Sequence, residues 1–230
     1  LPRFRGCSFK GEYPFGYVSL SDPDIPLTVS ITGFNPFIPL DDKNSSIPCA
    51  ILEYTLANPT KEVVEYEFAY HMSHFAHDGT GNFFNKTRNA VIPGMGVNLF
   101  NLEDENSSQF GSCALGVIGH VPQIKAMWFR GGWFDAISAL WKEVSSGTFT
   151  TNDGSQAETS AGRNGASILL KGALQPGEQV TYPIVITWYF PNVHYAYGEA
   201  NKAETEIMSY AEHGGSTCDC GADCDCHKTP

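Results

Sequence analysis

Four thiols crowd the C-terminal end of the chain. Cys218, Cys220, Cys224, Cys226 and His227 read C-x-C-x3-C-x-C-H. Four thiolates so close together match the tetrahedral donor set of a structural zinc, with every position filled by protein and none left for a reacting water. Soft thiolate ligands select zinc over harder ions. Two disulfides, or a disordered loop, are the alternatives, since the spacing departs from the usual C-x2-C pair. A second candidate is His71, His74 and His77 with Asp78 behind them. Strand side chains alternate with period two, so one strand face cannot hold all three rings. They read as a strand end running into a polar loop. A third cluster is Trp128, Arg130, Trp133 and Asp135. Indole faces stack on apolar ring faces, and Arg and Asp bond hydroxyls, so this group suits a sugar. The competing reading is a helix start packed on a sheet, with Gly131-Gly132 giving the bend.

Carboxylates are numerous, but they are poorly placed for paired acid–base work. Retaining glycoside chemistry needs two carboxyl groups roughly 5–5.5 Å apart, one with its pKa raised by its surroundings. Asp22 and Asp24 flank a proline, Asp41 and Asp42 sit beside a lysine, and Glu103-Asp104-Glu105 is a charge run. All three sets read as loops, and no local signature marks a Ser/His/Asp or Cys/His nucleophile. The expectation is that this chain carries no catalytic residue.

The elements that must position these groups are mostly strands. Ile25 to Thr32 alternates apolar and polar residues without a break, so one face is buried and the other wet. Ile47–Ala57 and Glu62–Met72 flank Asn58-Pro59-Thr60-Lys61, which predicts a β-hairpin. In its second arm Val64, Tyr66, Phe68, Tyr70 and Met72 share one face, with Glu65 and Glu67 on the other. Further strands are expected at 90–92, 97–102, 113–118, 166–171 and 179–190, the last after the turn Leu174-Gln175-Pro176-Gly177-Glu178. Trp133, Phe134, Ile137, Leu140, Trp141 and Val144 fall at helical spacing, so residues 133–145 predict one short helix that Gly147 stops. Residues 148–164 read as a loop. The fold class is mostly β: a two-sheet antiparallel sandwich with one short helix and a Cys-rich, irregular C-terminal segment. Residues 1–200 form the sandwich domain, and 201–230 are a short helix and Cys-rich extension.

Composition narrows the function classes. The 230 residues carry 25 acidic against 14 basic side chains, a formal charge of −11. No basic stripe exists for nucleic acid, and an anionic membrane surface repels such a chain. No apolar run approaches the ~20 residues that cross a bilayer. Scattered Cys7, Cys49 and Cys113 do not form a secreted disulfide framework, which points to a reducing, cytoplasmic setting. The triplets at Asn44, Asn85 and Asn106 are read as chance occurrences.

Five stretches in order resemble the N-terminal domain of glycoside hydrolase family 116, the family of non-lysosomal glucosylceramidases and bacterial β-glucosidases. They are Ser21-Asp22-Pro23-Asp24-Ile25-Pro26-Leu27, then Gly33-Phe34-Asn35-Pro36-Phe37-Ile38-Pro39-Leu40-Asp41, then Glu53-Tyr54-Thr55-Leu56-Ala57-Asn58. Phe129-Arg130-Gly131-Gly132-Trp133-Phe134-Asp135 follows, and last Leu174-Gln175-Pro176-Gly177-Glu178 with Trp188-Tyr189-Phe190-Pro191-Asn192. The resemblance implies a supersandwich-like β domain, lacking its first strands here, that supports a C-terminal (α/α)6 barrel. That barrel would hold both catalytic carboxylates and act on a β-glucoside, β-xyloside or glucosylceramide without a cofactor. It does not call for the Cys cluster. A stand-alone carbohydrate-binding sandwich and a structural zinc-binding module are the other readings.

Overall fold

A computed structural model of the chain describes residues 3–75, 87–102, 104–107, 110–129, 136–150, 154 and 164–192. Eleven strands form among them: β1 (Gly6–Glu12), β2 (Phe15–Ser21), β3 (Thr28–Phe34), β4 (Cys49–Ala57), β5 (Val64–Ser73), β6 (Thr87–Ile92), β7 (Gly96–Asn101), β8 (Ser112–Val117), β9 (Gln123–Lys125), β10 (Gly165–Leu174) and β11 (Gln179–Tyr189). Helix α1 (Asp42–Ser45) is a single turn and α2 (Ala136–Ser145) is longer. The strands build an eight-stranded sheet in the order β1-β2-β3-β4-β11-β8-β7-β6 and a three-stranded sheet in the order β5-β10-β9. Every pairing is antiparallel. No helix among the described residues is long and apolar enough to cross a membrane.

Period-two alternation explains the layering. Leu52, Tyr54 and Leu56 of β4, Tyr182, Ile184 and Ile186 of β11, and Leu115 and Val117 of β8 point inward from the large sheet. Val64, Tyr66, Phe68, Tyr70 and Met72 of β5, with Ala166, Ile168 and Leu170 of β10, meet them from the small one. Rings cross the interface: Tyr54 lies 5.1 Å from Phe68 and 5.8 Å from Tyr70, and Phe68 lies 5.3 Å from Tyr182. Burial and the neighbouring Tyr70 push the Tyr54 phenol up to about 12, as expected for a hydroxyl drawn into that core.

The expected hairpin of residues 47–72 is overturned. β4 pairs with β3 and β11, β5 pairs with β10, and the two expected arms belong to different sheets. The reason is the apolar faces. In a flat hairpin both would point the same way and need a third layer. Here the chain arches between sheets, so each face buries the other. Asn58, 1% exposed, fastens the arch. Its amide donates to the carbonyls of Glu62 (2.8 Å) and Leu174 (2.9 Å), and its carbonyl accepts from Thr60 N (2.9 Å) and Thr60 Oγ1 (2.7 Å).

The helix count also differs from the expected one. α1 is an extra turn, capped where the Asp41 carboxylate accepts from Asn44 N at 3.0 Å. α2 spans Ala136–Ser145 among the described residues, which leave out 133–135, and it ends as expected, with Gly147 at φ +65 and its N–H on Val144 O at 2.9 Å. The chain divides into two compact units, 1–192 and 193–230. The short helix and Cys-rich extension expected over 201–230 lie outside the described residues.

Candidate functional site

The outer face of the small sheet brings together the described residues with most chemistry. Register sets His71 of β5, Ser167 of β10 and Lys125 of β9 side by side across its three strands. Ser167 is fully buried. Its Oγ accepts the Trp128 indole N–H at 2.7 Å and lies 2.7 Å from His71 Nδ1. Indole only donates, so Ser167 Oγ accepts from Trp128 and keeps its proton and one lone pair for Nδ1. Burial pushes the His71 pKa down, which favours the neutral ring. Although the residue is exposed at its outer edge, its Nδ1 edge rests on buried Ser167.

Trp128 is pinned on three sides. Its backbone N–H donates to Gly165 O at 2.9 Å. A Cβ on Gly165 would stand 2.7 Å from the indole carbons Cε3 and Cζ3, so the ring lies directly on that glycine. Lys125, 5% exposed at its side chain, reaches Glu143 of α2 at 2.8 Å and the Thr150 carbonyl at 3.3 Å. Below these, Asn89 and Asn164 exchange two amide bonds of 2.8 and 3.0 Å; Asn89 also reaches Ala126 O and Asn164 reaches Thr87 Oγ1. The segment from 126 to 129 is therefore held rigidly where it leaves the sheet.

This arrangement positions and does not react. Ser167 has no exposed surface for attack, and its hydroxyl is committed on both sides. Trp128 packs on the sheet. Arg130, Trp133 and Asp135 lie outside the described residues, as do His77, Asp78 and Cys218, Cys220, Cys224 and Cys226. His74 is buried past the end of β5, with Nδ1 4.0 Å from Cys113 Sγ, away from His71. Among the described residues, no three His, Cys, Asp or Glu side chains gather as metal ligands.

Several described carboxylates serve as caps and ion pairs. The Asp24 N–H, and then Arg5, hold Asp22 below the usual carboxylate range. The Asn44 backbone and side chain do the same for Asp41. Glu65 and Glu67 border an open cavity of about 750 Å³ on the small sheet, but both are exposed, and Glu67 pairs with Lys171 at 3.0 Å. Neither has the water-excluded setting of a general acid. Sequence reasoning missed Ser167, Gly165 and the Asn89–Asn164 pair. The one available signal was the indole N–H of Trp128, which needs a partner once buried.

Residues 3–217 match the family model described as beta-glucosidase 2, glycosyl-hydrolase family 116 N-term. No curated protein matches the chain. A polysaccharide lyase matches at 14% identity and TM-score 0.40, over 76% of this chain and 22% of its own. A candidate kojibiose phosphorylase from the human microbiome matches at 8% identity and TM-score 0.39, over 86% and 20%. A TPR-domain containing protein from Parabacteroides distasonis matches at 9% identity and TM-score 0.38, over 92% and 43%. The chain spans about a fifth of the length of the first two.

Proposed function

Because the chain belongs to the glycosyl-hydrolase family 116 N-terminal family, we propose that it is the non-catalytic sandwich domain of a retaining β-glycosidase of the β-glucosidase, β-xylosidase or glucosylceramidase type. Its partner is a C-terminal (α/α)6 catalytic domain of the same polypeptide, and its substrate a β-glucoside or β-xyloside bound between the two domains. The family match over residues 3–217 carries this reading. An apolar lip at one end of the large sheet supports it too, where Tyr13, Ile38 and Leu40 are 80%, 48% and 107% exposed. Exposed apolar side chains in such number mark a surface that another domain covers.

Residues 1–200 are the domain proper and 201–230 an extension. Arg130, Trp133 and Asp135 face the substrate, on a segment whose base Trp128 fixes. Catalysis needs no cofactor, and Cys218, Cys220, Cys224 and Cys226 hold a structural zinc, a reading that rests on their spacing. Cytoplasmic placement is supported by the free thiols of Cys7 and Cys49. The test is turnover of an aryl β-glucoside. The chain alone is expected to be inactive and the longer polypeptide active; activity in the pure isolated chain overturns the proposal.

A further inference from the structure

The opposite side of the molecule carries a second surface. Because Leu52, Tyr54 and Leu56 of β4 face the core, Glu53 and Thr55 face away from it, and register extends that outer face across five strands. There Ser8, Ser19, Ser30, Thr55 and Thr181 stand opposite one another in a single row from β1 to β11. Four strand spacings make that row about 19 Å long. A groove of about 530 Å³ opens over it, with Gln179 at one end and no charged side chain in its lining. That neutrality is unusual on a chain of net charge −11.

Two further observations say what such a groove suits. Thr55 and Thr181 bond each other at 2.7 Å, but the exposed hydroxyls of Ser8, Ser19 and Ser30 make no hydrogen bond among the described residues. Each can donate once and accept twice. Farther along the same face, Phe15 stacks on Tyr17 with centroids 6.2 Å apart and planes 30° apart, and tilts against Phe34 at 5.5 Å. Phe15 is 39% exposed. Of the charges on this face, Lys10 and Glu12 neutralise each other at 2.7 Å, and Glu53 stands one row from Thr55, across Thr32 from Tyr17. A ligand for this face must be neutral, rich in hydroxyls, longer than one ring, and apolar on its ring faces. A polyanion finds no cation in the groove's lining.

We infer that the outer face of the eight-stranded sheet binds a neutral oligosaccharide, with the Ser8–Ser19–Ser30 row bonding its hydroxyls and the Phe15–Tyr17 shelf stacking its rings. This site is non-catalytic and lies on a different sheet from the Trp128 anchor. It rests on the glycosidase reading only in the choice of β-1,4-linked glucose and xylose chains as probes. The experiment is calorimetric titration of the chain with cellotetraose and xylotetraose, with amide chemical shifts mapping the face. Wild type is expected to bind at least one tetraose saturably and to shift amides of β1–β3. The double variant Ser19→Val, Ser30→Val keeps strand propensity but removes two hydroxyls, and Tyr17→Ala removes the shelf. Each is expected to weaken binding about tenfold or more while remaining folded by the same spectra. Absence of saturable binding at millimolar tetraose, or binding that both folded variants retain, overturns the inference. Concentration-dependent self-association that the Val variant abolishes, without sugar binding, overturns it too, by assigning the face to a second copy. Hydrolysis by the longer polypeptide tests the glycosidase reading separately, so either can fail alone.

Discussion

Individual polar side chains decide how tightly this β scaffold is closed. Asn58 is the clearest case, because one buried amide satisfies two carbonyls and two donors at the arch between the sheets. Asn58→Ala leaves those groups buried without partners. The buried Leu174 carbonyl costs roughly 1–3 kcal/mol when unsatisfied and the partly buried groups less, since water can reach them and Thr60 Oγ1 also bonds Glu62 O, so the expected loss is about 2–4 kcal/mol, read as a lower urea midpoint at unchanged m-value. Asn58→Asp keeps the shape but turns a carboxylate toward two carbonyls, and is expected to cost at least as much. His71 supplies a pH-dependent component. Folding lowers its pKa, so the unfolded chain binds the proton first, and stability falls as pH drops below the unfolded value of about 6.5. The decline in Tm between about pH 7 and pH 5 is expected to shrink in His71→Gln; an identical slope in the variant contradicts the buried setting of the ring.

At the scale of elements, the Lys125–Glu143 ion pair ties α2 to the small sheet, and Gly147 just beyond the helix lies close against Glu67 of β5. Lys125 is almost wholly buried and Glu143 partly so. Breaking a buried pair costs about 3–5 kcal/mol, and the exposure of Glu143 brings the expected loss for Lys125→Met nearer 2–3 kcal/mol. Lys125→Met with Glu143→Leu is expected to recover part of that loss, since no charge is then stranded; a double-mutant cycle reads the coupling directly. Gly147, at φ +65, strains any other residue, and a Cβ there would meet Glu67 Oε1 at 2.0 Å, so that carboxylate would have to move. These elements also show how far the sequence could be read. Unbroken alternation in Val64–Met72, and the Leu-Gln-Pro-Gly-Glu turn before β11, made the long strands and the sandwich legible. Which sheet each strand joined was not, because alternation shows that a face is apolar but not whether its cover lies beside it or across from it. β1 and β2 escaped notice because nearly all of β1 is exposed and leaves no apolar stripe. The site was half legible: Trp128 could be picked out by its type, whereas Ser167 and Gly165 gain meaning only once β10 brings them beneath it.

For the whole molecule, the open question is what covers the apolar lip. Leu40 is fully exposed and held at φ +66, a backbone region that costs a branched side chain about 1–2 kcal/mol. The loop fixes it there through reciprocal bonds, with Ile38 N donating to Ser45 Oγ at 2.9 Å and Ser45 Oγ donating to Ile38 O at 2.9 Å. Tyr13 leans on the same loop, its ring 5.4 Å from Phe37. A strained apolar side chain held in water is hard to explain by the stability of this domain alone. It makes sense if the strain is offset where the lip meets the catalytic domain. Two versions of one substitution separate these cases. In the isolated chain, Leu40→Asp touches nothing and is expected to change stability by less than about 0.5 kcal/mol. In the longer polypeptide it places a charge in an apolar interface. There it is expected to lower the melting temperature and aryl β-glucoside turnover together, while isolated-domain spectra remain unchanged. Equal tolerance in both contexts removes the lip from the domain interface and leaves the catalytic partner to dock elsewhere on the sandwich.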